Sequence, residues 1–178
     1  AENSAATELA VFLNRISGAP HLYAVQRPQQ GVPQIAVGHG AALALGIGPQ
    51  AVAGLGLEGY VMTTNVSLGV AAGSLVLTGA LAAPRGTLYA VNAFLEQLGV
   101  QFLAQDVTLL PVRLPSALPS LNVRFTPQLE YRQVFEYSTN RNTTRSLSLN
   151  LHSRLNKAEV QQPSFLGPSR GGSVKYAN

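Results

Sequence analysis

Apolar and polar residues alternate most regularly in the last third of the chain. Between residues 123 and 137, apolar side chains hold one parity and polar or charged side chains the other. The alternation returns over residues 146–155, after the polar stretch 138–145. A two-residue period predicts strands with one apolar face, so we expect an antiparallel hairpin here. The apolar positions are Val123, Phe125, Leu129, Tyr131, Phe135, Tyr137, Leu147, Leu149, Leu151 and Leu155.

Two uncharged apolar runs dominate the first half of the chain, at residues 35–57 and 66–83. Each reaches the length at which a transmembrane helix must be considered. Glycine and proline interrupt the first run repeatedly, and neither run is flanked by a basic cluster or an aromatic belt. We therefore predict short strands over residues 35–47, 59–70 and 74–81, separated by glycine turns.

A spacing of three and four residues between apolar positions predicts one helix after Pro84. Thr87 is a candidate N-terminal cap, and Gly99 is placed to end the helix. A strand is expected over residues 100–110, followed by a proline-rich connector at residues 111–119. The apolar residues of the helix are Leu88, Val91, Phe94, Leu95 and Leu98.

Together these elements predict a mainly β fold, a single jelly roll or β-sandwich with one short helix between later strands. The 178 residues suit one domain, which we assign to residues 1–160. Its N-terminal arm contains residues 7–16, which are compatible with a short helix or a strand. The periodicity ends after Lys157, so residues 161–178 are predicted to form an extended or disordered C-terminal arm.

The chain carries unusually few charges. Charged residues make up 11% of the sequence, against roughly a quarter in ordinary soluble domains. Glu58 is the only charged residue between Arg27 and Arg85. A surface with so little charge is typical of proteins that give much of their outside to neighbouring subunits or to a membrane. The composition therefore favours assembly over catalysis.

The charges that are present lie mostly at the C-terminal end. Residues 124–178 contain eight basic and three acidic side chains, whereas residues 1–123 contain four and five. A basic segment could meet nucleic acid or anionic lipid headgroups. Nucleic-acid sheets interleave exposed aromatic residues with their cations, but the aromatic residues of the predicted hairpin hold the opposite parity. Nucleic-acid binding is therefore the less favoured interpretation.

Candidate chemistry is sparse. Residues 54–59 match GxGxxG, but a dinucleotide site needs a helix after the glycines, and strand-like residues beginning at Tyr60 follow them. There is no cysteine, and Asp106 is the only aspartate. We expect no enzymatic activity, no catalytic residues, no cofactor and no metal site. The histidines are too far apart for ligand spacing, at His21, His39 and His152.

In size, composition and strand–helix order, most closely over residues 59–155, the chain resembles the single jelly-roll capsid proteins of tailless phages with an internal membrane. The absence of cysteine and the richness in Ala, Leu, Gly, Val, Pro and Gln are similar to those of the smaller major capsid proteins from thermophilic hosts. The resemblance implies a self-assembling virion subunit. It would form a dimer or larger homo-oligomer, stand on an internal lipid vesicle and pair with a second, larger capsid protein.

In such a shell, residues 1–20 and 160–178 would be the arms exchanged between neighbours, and the apolar strands of residues 35–83 would supply contact faces. The expected contact residues are Phe12, Phe165 and Tyr176 as anchors, with Arg170 and Lys175 facing lipid or a neighbour.

Two other functions stay open at this point. One is a minor pilin-like subunit at the bacterial cell surface, lacking its membrane helix, which a helical start followed by a sheet would suit. The other is a basic-faced nucleic-acid-binding module, whose affinity would fall steeply with salt concentration.

Overall fold

The computed structural model describes residues 2–20, 23–27, 29, 32–64, 73–81, 84–104 and 107–129. The described part of the strand predicted over residues 123–137 is a strand only as far as Phe125, and residues 126–129 are irregular. The rest of the predicted hairpin and the predicted C-terminal arm lie outside the described residues.

A four-stranded mixed sheet forms the centre of the described structure. Its strands are β1 (Ile35–Val37), β2 (Tyr60–Thr63), β3 (Leu75–Gly79) and β6 (Asn122–Phe125). Their spatial order is β1-β3-β2-β6, with β1 parallel to β3 and both other pairs antiparallel. Among the described strands, β1 and β6 therefore form the two edges of this sheet.

Helices cover both faces of the sheet. The helices are α1 (Glu2–Ser17), α2 (His39–Ala44) and α3 (Pro84–Gln97), with a 3-10 helix at Pro49–Val52. The main core joins α1 and α3 to one face of the sheet, whereas α2 and the 3-10 helix pack on the other. The result is a layered α/β arrangement.

The strand residues divide between the two faces by simple alternation. Val61 and Val76 point toward the smaller clusters beneath the 3-10 helix and α2. The residues facing α1 and α3 are Tyr60, Met62, Leu75 and Leu77. Burial of both faces explains why the apolar residues of β2 and β3 follow one another without alternating with polar ones.

The N-terminal helix forms because its apolar residues recur at helical spacing. Gly18, at a φ of 68°, follows its last turn, in a conformation that favours glycine. One stripe of α1 is buried against α3 and the sheet, formed by Ala5, Leu9, Phe12, Leu13 and Ile16. Of the two alternatives left open for residues 7–16, the helix is the one observed.

The C-terminal end of α3 leads into a two-stranded antiparallel ribbon, formed by β4 (Gln101–Ala104) and β5 (Val107–Leu109). The prediction of a single strand over residues 100–110 is therefore wrong, because two antiparallel strands lie there. Residues 111–121 then lead as an irregular connector to β6.

The predicted fold class is confirmed only in its coarse form. The described residues contain sheets of four and two strands together with helices, and they do not show a jelly roll. The predicted strand over residues 35–47 is wrong beyond Val37. Gly38 turns the chain at a φ of 95°, and the alanine-rich segment after it forms α2. The predicted helix is confirmed as α3, but it begins at Pro84, so Thr87 lies inside the helix and is not its N-terminal cap. The described chain also contains further helices.

Candidate interaction surface

The β4–β5 ribbon is fixed to the body of the protein by one aromatic contact. Phe102 points inward, and its ring meets the ring of Phe12 edge-on at 5.8 Å between centroids. Gln101 lies opposite Leu109, and Phe102 opposite Thr108, with an irregular register before Ala104. The inner side of the ribbon is therefore held against α1, which leaves its outer side to solvent.

The outer side of the ribbon is apolar. Leu103, Val107 and Leu109 are 56%, 45% and 50% exposed, and Val112 is almost fully exposed just beyond β5. No charged residue belongs to β4 or β5. Single exposed apolar residues are ordinary, but four within residues 103–112, on strands that carry no charge, indicate an interaction surface. We call Leu103, Val107, Leu109 and Val112 the ribbon patch.

A second surface feature is a groove of about 1310 Å³ that follows β1. Its lining includes α1 on one face of the sheet, α2 on the other, and the strand residues between them. A cavity that touches both helices must pass around the edge of β1. We call this cavity the β1 groove.

The two helical walls of the β1 groove are joined at one end. The Glu2 side chain of α1 accepts a hydrogen bond from the backbone N–H of His39, at 2.7 Å, in the first turn of α2. A Cβ at Gly38 would lie 2.5 Å from the Glu2 side chain, so only glycine leaves room for this contact. The carboxylate also places negative charge where the backbone N–H groups of α2 are unsatisfied.

Residues that suggested other chemistry have structural roles. The glycine-rich segment 54–59 forms turns and leads directly into the strand β2, whereas a dinucleotide site needs a helix that follows the glycines in sequence. Glu58 forms an ion pair with Arg85 at 3.7 Å. The Arg124 guanidinium donates hydrogen bonds to the carbonyl oxygens of Ala51 and Ala53, which ties β6 to the 3-10 helix.

The hydroxyl of a core tyrosine, Tyr60, has a perturbed pKa. Tyr60 is buried and stacks on Phe125 with ring centroids 5.1 Å apart. Burial raises the pKa of the Tyr60 hydroxyl above its ordinary value of 10.0, and the negative charge of Glu96 raises it further. A phenol whose proton is held more tightly is a poor acid or base near neutral pH. No group of acidic, histidine or cysteine side chains within the described residues could hold a metal ion.

Most of the residues predicted to make intersubunit contacts lie outside the described part of the chain. These are Phe165, Arg170, Lys175 and Tyr176. Phe12 is described, and only 9% of its surface is exposed. Its ring packs on Phe102 and lies 5.7 Å from the Arg15 guanidinium carbon. Phe12 therefore packs the ribbon against α1 within one chain, and its role as an intersubunit anchor stays a prediction.

The sequence analysis did not single out the ribbon patch, because it predicted one continuous strand over residues 100–110. A signal was present: Val107 and Leu109 hold one parity on either side of Thr108, in a stretch with a single charged residue, Asp106.

None of the helices in the described part of the chain is both long and apolar enough to cross a membrane.

Comparisons of the chain with models of known protein families, with curated proteins and with solved structures gave no match. The features that bear on function are therefore the ribbon patch, the β1 groove and the scarcity of charge.

Proposed function

We propose that this chain is a structural subunit that associates with copies of itself. The observation that carries the proposal is the ribbon patch, an exposed and uncharged apolar surface held in place by the core. The low charge of the whole chain supports the proposal, because ordinary soluble domains contain about twice this fraction of charged residues. No cluster of groups suited to catalysis competes with it among the described residues.

The specific setting that we propose is the capsid of a virion. The resemblance to single jelly-roll capsid proteins supplies this setting, together with a larger capsid protein and an internal lipid membrane as further partners. The described strands do not form a jelly roll, so the complete fold would need strands from residues 130–178. The alternation over residues 146–155 is compatible with such a contribution.

The ribbon patch can be tested with a double substitution, Leu103→Lys together with Leu109→Lys. Two charges on this surface would oppose burial against a neighbour but leave the chain folded, because both side chains are already half in water. We expect the mean mass from light scattering at high protein concentration to fall. Leu57→Lys is the matched control, since Leu57 is exposed in the turn before β2, near the N-terminal end of α3 and away from the ribbon. An unchanged mass in the double variant would contradict the role of the patch.

A second candidate is the pilin-like subunit, and the observation that favours it is α1. This 16-residue helix packs along one face of the sheet, with its apolar stripe buried. In this case the natural gene would encode an apolar segment of about 20 residues continuous with the start of α1. Sequencing the gene upstream decides the matter, and a polar or absent upstream segment would remove this candidate.

A further inference from the structure

We propose that the β1 groove receives residues 146–151 of a second copy of the chain as an added strand. The inference rests on the proposed self-association and names a segment that would mediate it. Addition of an extended segment to an open sheet edge is a common mode of recognition, in which backbone hydrogen bonds supply affinity and side-chain pockets supply specificity.

The floor of the groove is a sheet edge with unused backbone groups. On its inner side β1 bonds to β3, where Leu75 N–H donates to Gln34 at 3.0 Å and Gly38 N–H donates to Leu77 at 2.9 Å. In a parallel ladder alternate residues point their N–H and C=O groups to opposite sides. The backbone groups of Ile35 and Val37 therefore point away from β3, toward the groove, and no bond to them is found among the described residues.

The two walls of the groove differ in the size of their side chains. The α1 wall includes two large apolar residues, Leu9 and Leu13, of which only a small part is exposed. The other α1 residues of the lining are small or polar, namely Glu2, Asn3, Ala6 and Ala10. The α2 wall presents only small residues, Gly40, Ala41 and Ala44. A strand bound along β1 would therefore be favoured if its large apolar residues faced α1 and its small residues faced α2. Glu2 and Arg27 are the only charged residues of the described lining.

Residues 146–151 have this pattern in their sequence, Ser-Leu-Ser-Leu-Asn-Leu. Leu147, Leu149 and Leu151 share one parity and suit the α1 wall. Ser146, Ser148 and Asn150 share the other parity, and the two serines are small enough to suit the α2 wall. The segment carries no charge, which matches a groove with almost none.

The donor is assigned to a second copy because of where the segment starts. The predicted hairpin begins at β6, and β6 and β1 are opposite edges of the described sheet. In the predicted hairpin, residues 146–155 would pair with residues 123–137 of their own chain and leave one strand edge unused. That edge can meet β1 of a neighbour, which is a head-to-tail contact. Such contacts propagate from copy to copy and form rings or extended arrays.

The test uses two complementary variants of the full chain. Both also carry Leu103→Lys and Leu109→Lys, so that the ribbon patch does not contribute to association. Val37→Pro removes the N–H that faces the groove, and Val37→Thr is its control because threonine keeps that N–H. Leu149→Asp places a charge in the donor segment, and Thr144→Asp is its control because residue 144 lies outside that segment. We expect each test variant to lose every species above the 18.7 kDa protomer and each control to retain them.

Mixing the two test variants provides the decisive result. Val37→Pro retains a donor segment and Leu149→Asp retains a groove, so the mixture should form a complex of twice the protomer mass and nothing larger. Folded monomers that do not combine on mixing would indicate that the segment docks within its own chain, and would overturn the inference. Thermal unfolding of each variant establishes that it is folded.

A peptide experiment keeps the inference testable if Val37→Pro does not fold. A fluorescent peptide of residues 144–153 should bind the Leu149→Asp chain, whereas a peptide with the same residues in scrambled order should not. Equal anisotropy for both peptides would overturn the inference. If the chain assembles and none of the groove variants changes its mass, the inference fails while the proposed function stands. A wild-type chain that is strictly monomeric would overturn both.

Discussion

At the scale of single residues, two glycines allow α3 to approach the sheet closely. A Cβ at Gly86 would lie 2.2 Å from the carbonyl oxygen of Gly59. A Cβ at Gly79 would lie 2.6 Å from the backbone nitrogen of Thr87. The same approach lets the Thr87 hydroxyl accept a hydrogen bond from Gly79 N–H at 3.0 Å. The atoms in the way belong to the backbone, so they cannot move aside as a flexible side chain would.

Gly86→Ala should therefore destabilise the protein, by about 1–3 kcal/mol, which is typical of overpacking in a core. Gly40→Ala is the matched control, since Gly40 also lies in a helix but has open space around its added Cβ. Alanine there should leave stability unchanged or increase it by up to about 1 kcal/mol. Urea unfolding of both variants measures the free energies, and equal values would show that α3 does not require glycine at this contact.

The buried hydroxyl of Tyr60 gives a prediction about alkaline pH. Above its ordinary pKa of 10.0, this tyrosine ionises in the unfolded chain but keeps its proton in the fold, where burial and Glu96 raise its pKa. The unfolded state then holds fewer protons, so stability falls as pH rises, by at most about 1.4 kcal/mol per pH unit. The stability of wild type relative to Tyr60→Phe should be constant below pH 10 and decline above it. Parallel urea stability curves from pH 8 to pH 11 would contradict this.

At the scale of elements, the sequence predicted those that have either a helical spacing of apolar residues or a short apolar run. The apolar spacing after Pro84 predicted α3, and the segments around residues 60–63 and 75–79 were recognised as strands. The α2 helix was missed because its sequence, HGAALA, has too little apolar contrast to show a helical face. Its helical form depends on Gly38 and on packing over Ala36 and Val76, which lie elsewhere in the sequence.

The candidate surfaces were harder to predict than the elements. The β1 groove exists because α1 and α2 cover opposite faces of the sheet next to its edge, and no local pattern reports that arrangement. The ribbon patch depends on the antiparallel pairing of residues 101–104 with residues 107–109, whereas the stretch contains no glycine or proline that would have indicated a turn, and one strand was predicted. Scarcity of charge indicated that some surface would be shared, but not which one.

The structure assigns α1 to the core, and Phe12→Ala tests this. Loss of a buried phenylalanine ring that packs on Phe102 should lower the free energy of unfolding by about 3–5 kcal/mol. Val11→Ala is the control on the exposed side of the same helix and should change stability by no more than about 0.5 kcal/mol. If Phe12→Ala instead weakened association and left unfolding unchanged, Phe12 would be an intersubunit anchor, as the sequence analysis predicted.

At the scale of the whole molecule, the proposed contacts are mostly apolar. The ribbon patch and the β1 groove contain few charges, whereas residues 124–178 carry eight basic side chains against three acidic ones. Association through apolar surfaces should therefore persist when sodium chloride is raised from 0.1 M to 1 M, because salt screens charges and does not weaken apolar burial. Analytical ultracentrifugation at both salt concentrations measures this. Dissociation at high salt would point to charge-mediated contacts of the basic segment instead.

The most direct test of self-association is light scattering of the purified wild-type chain behind size exclusion, over a hundredfold range of protein concentration and without detergent. We predict a mean mass that rises from the 18.7 kDa protomer to a dimer or larger species as concentration increases. A mass that stays at one protomer across the whole range would contradict the proposal that this chain is an assembly subunit.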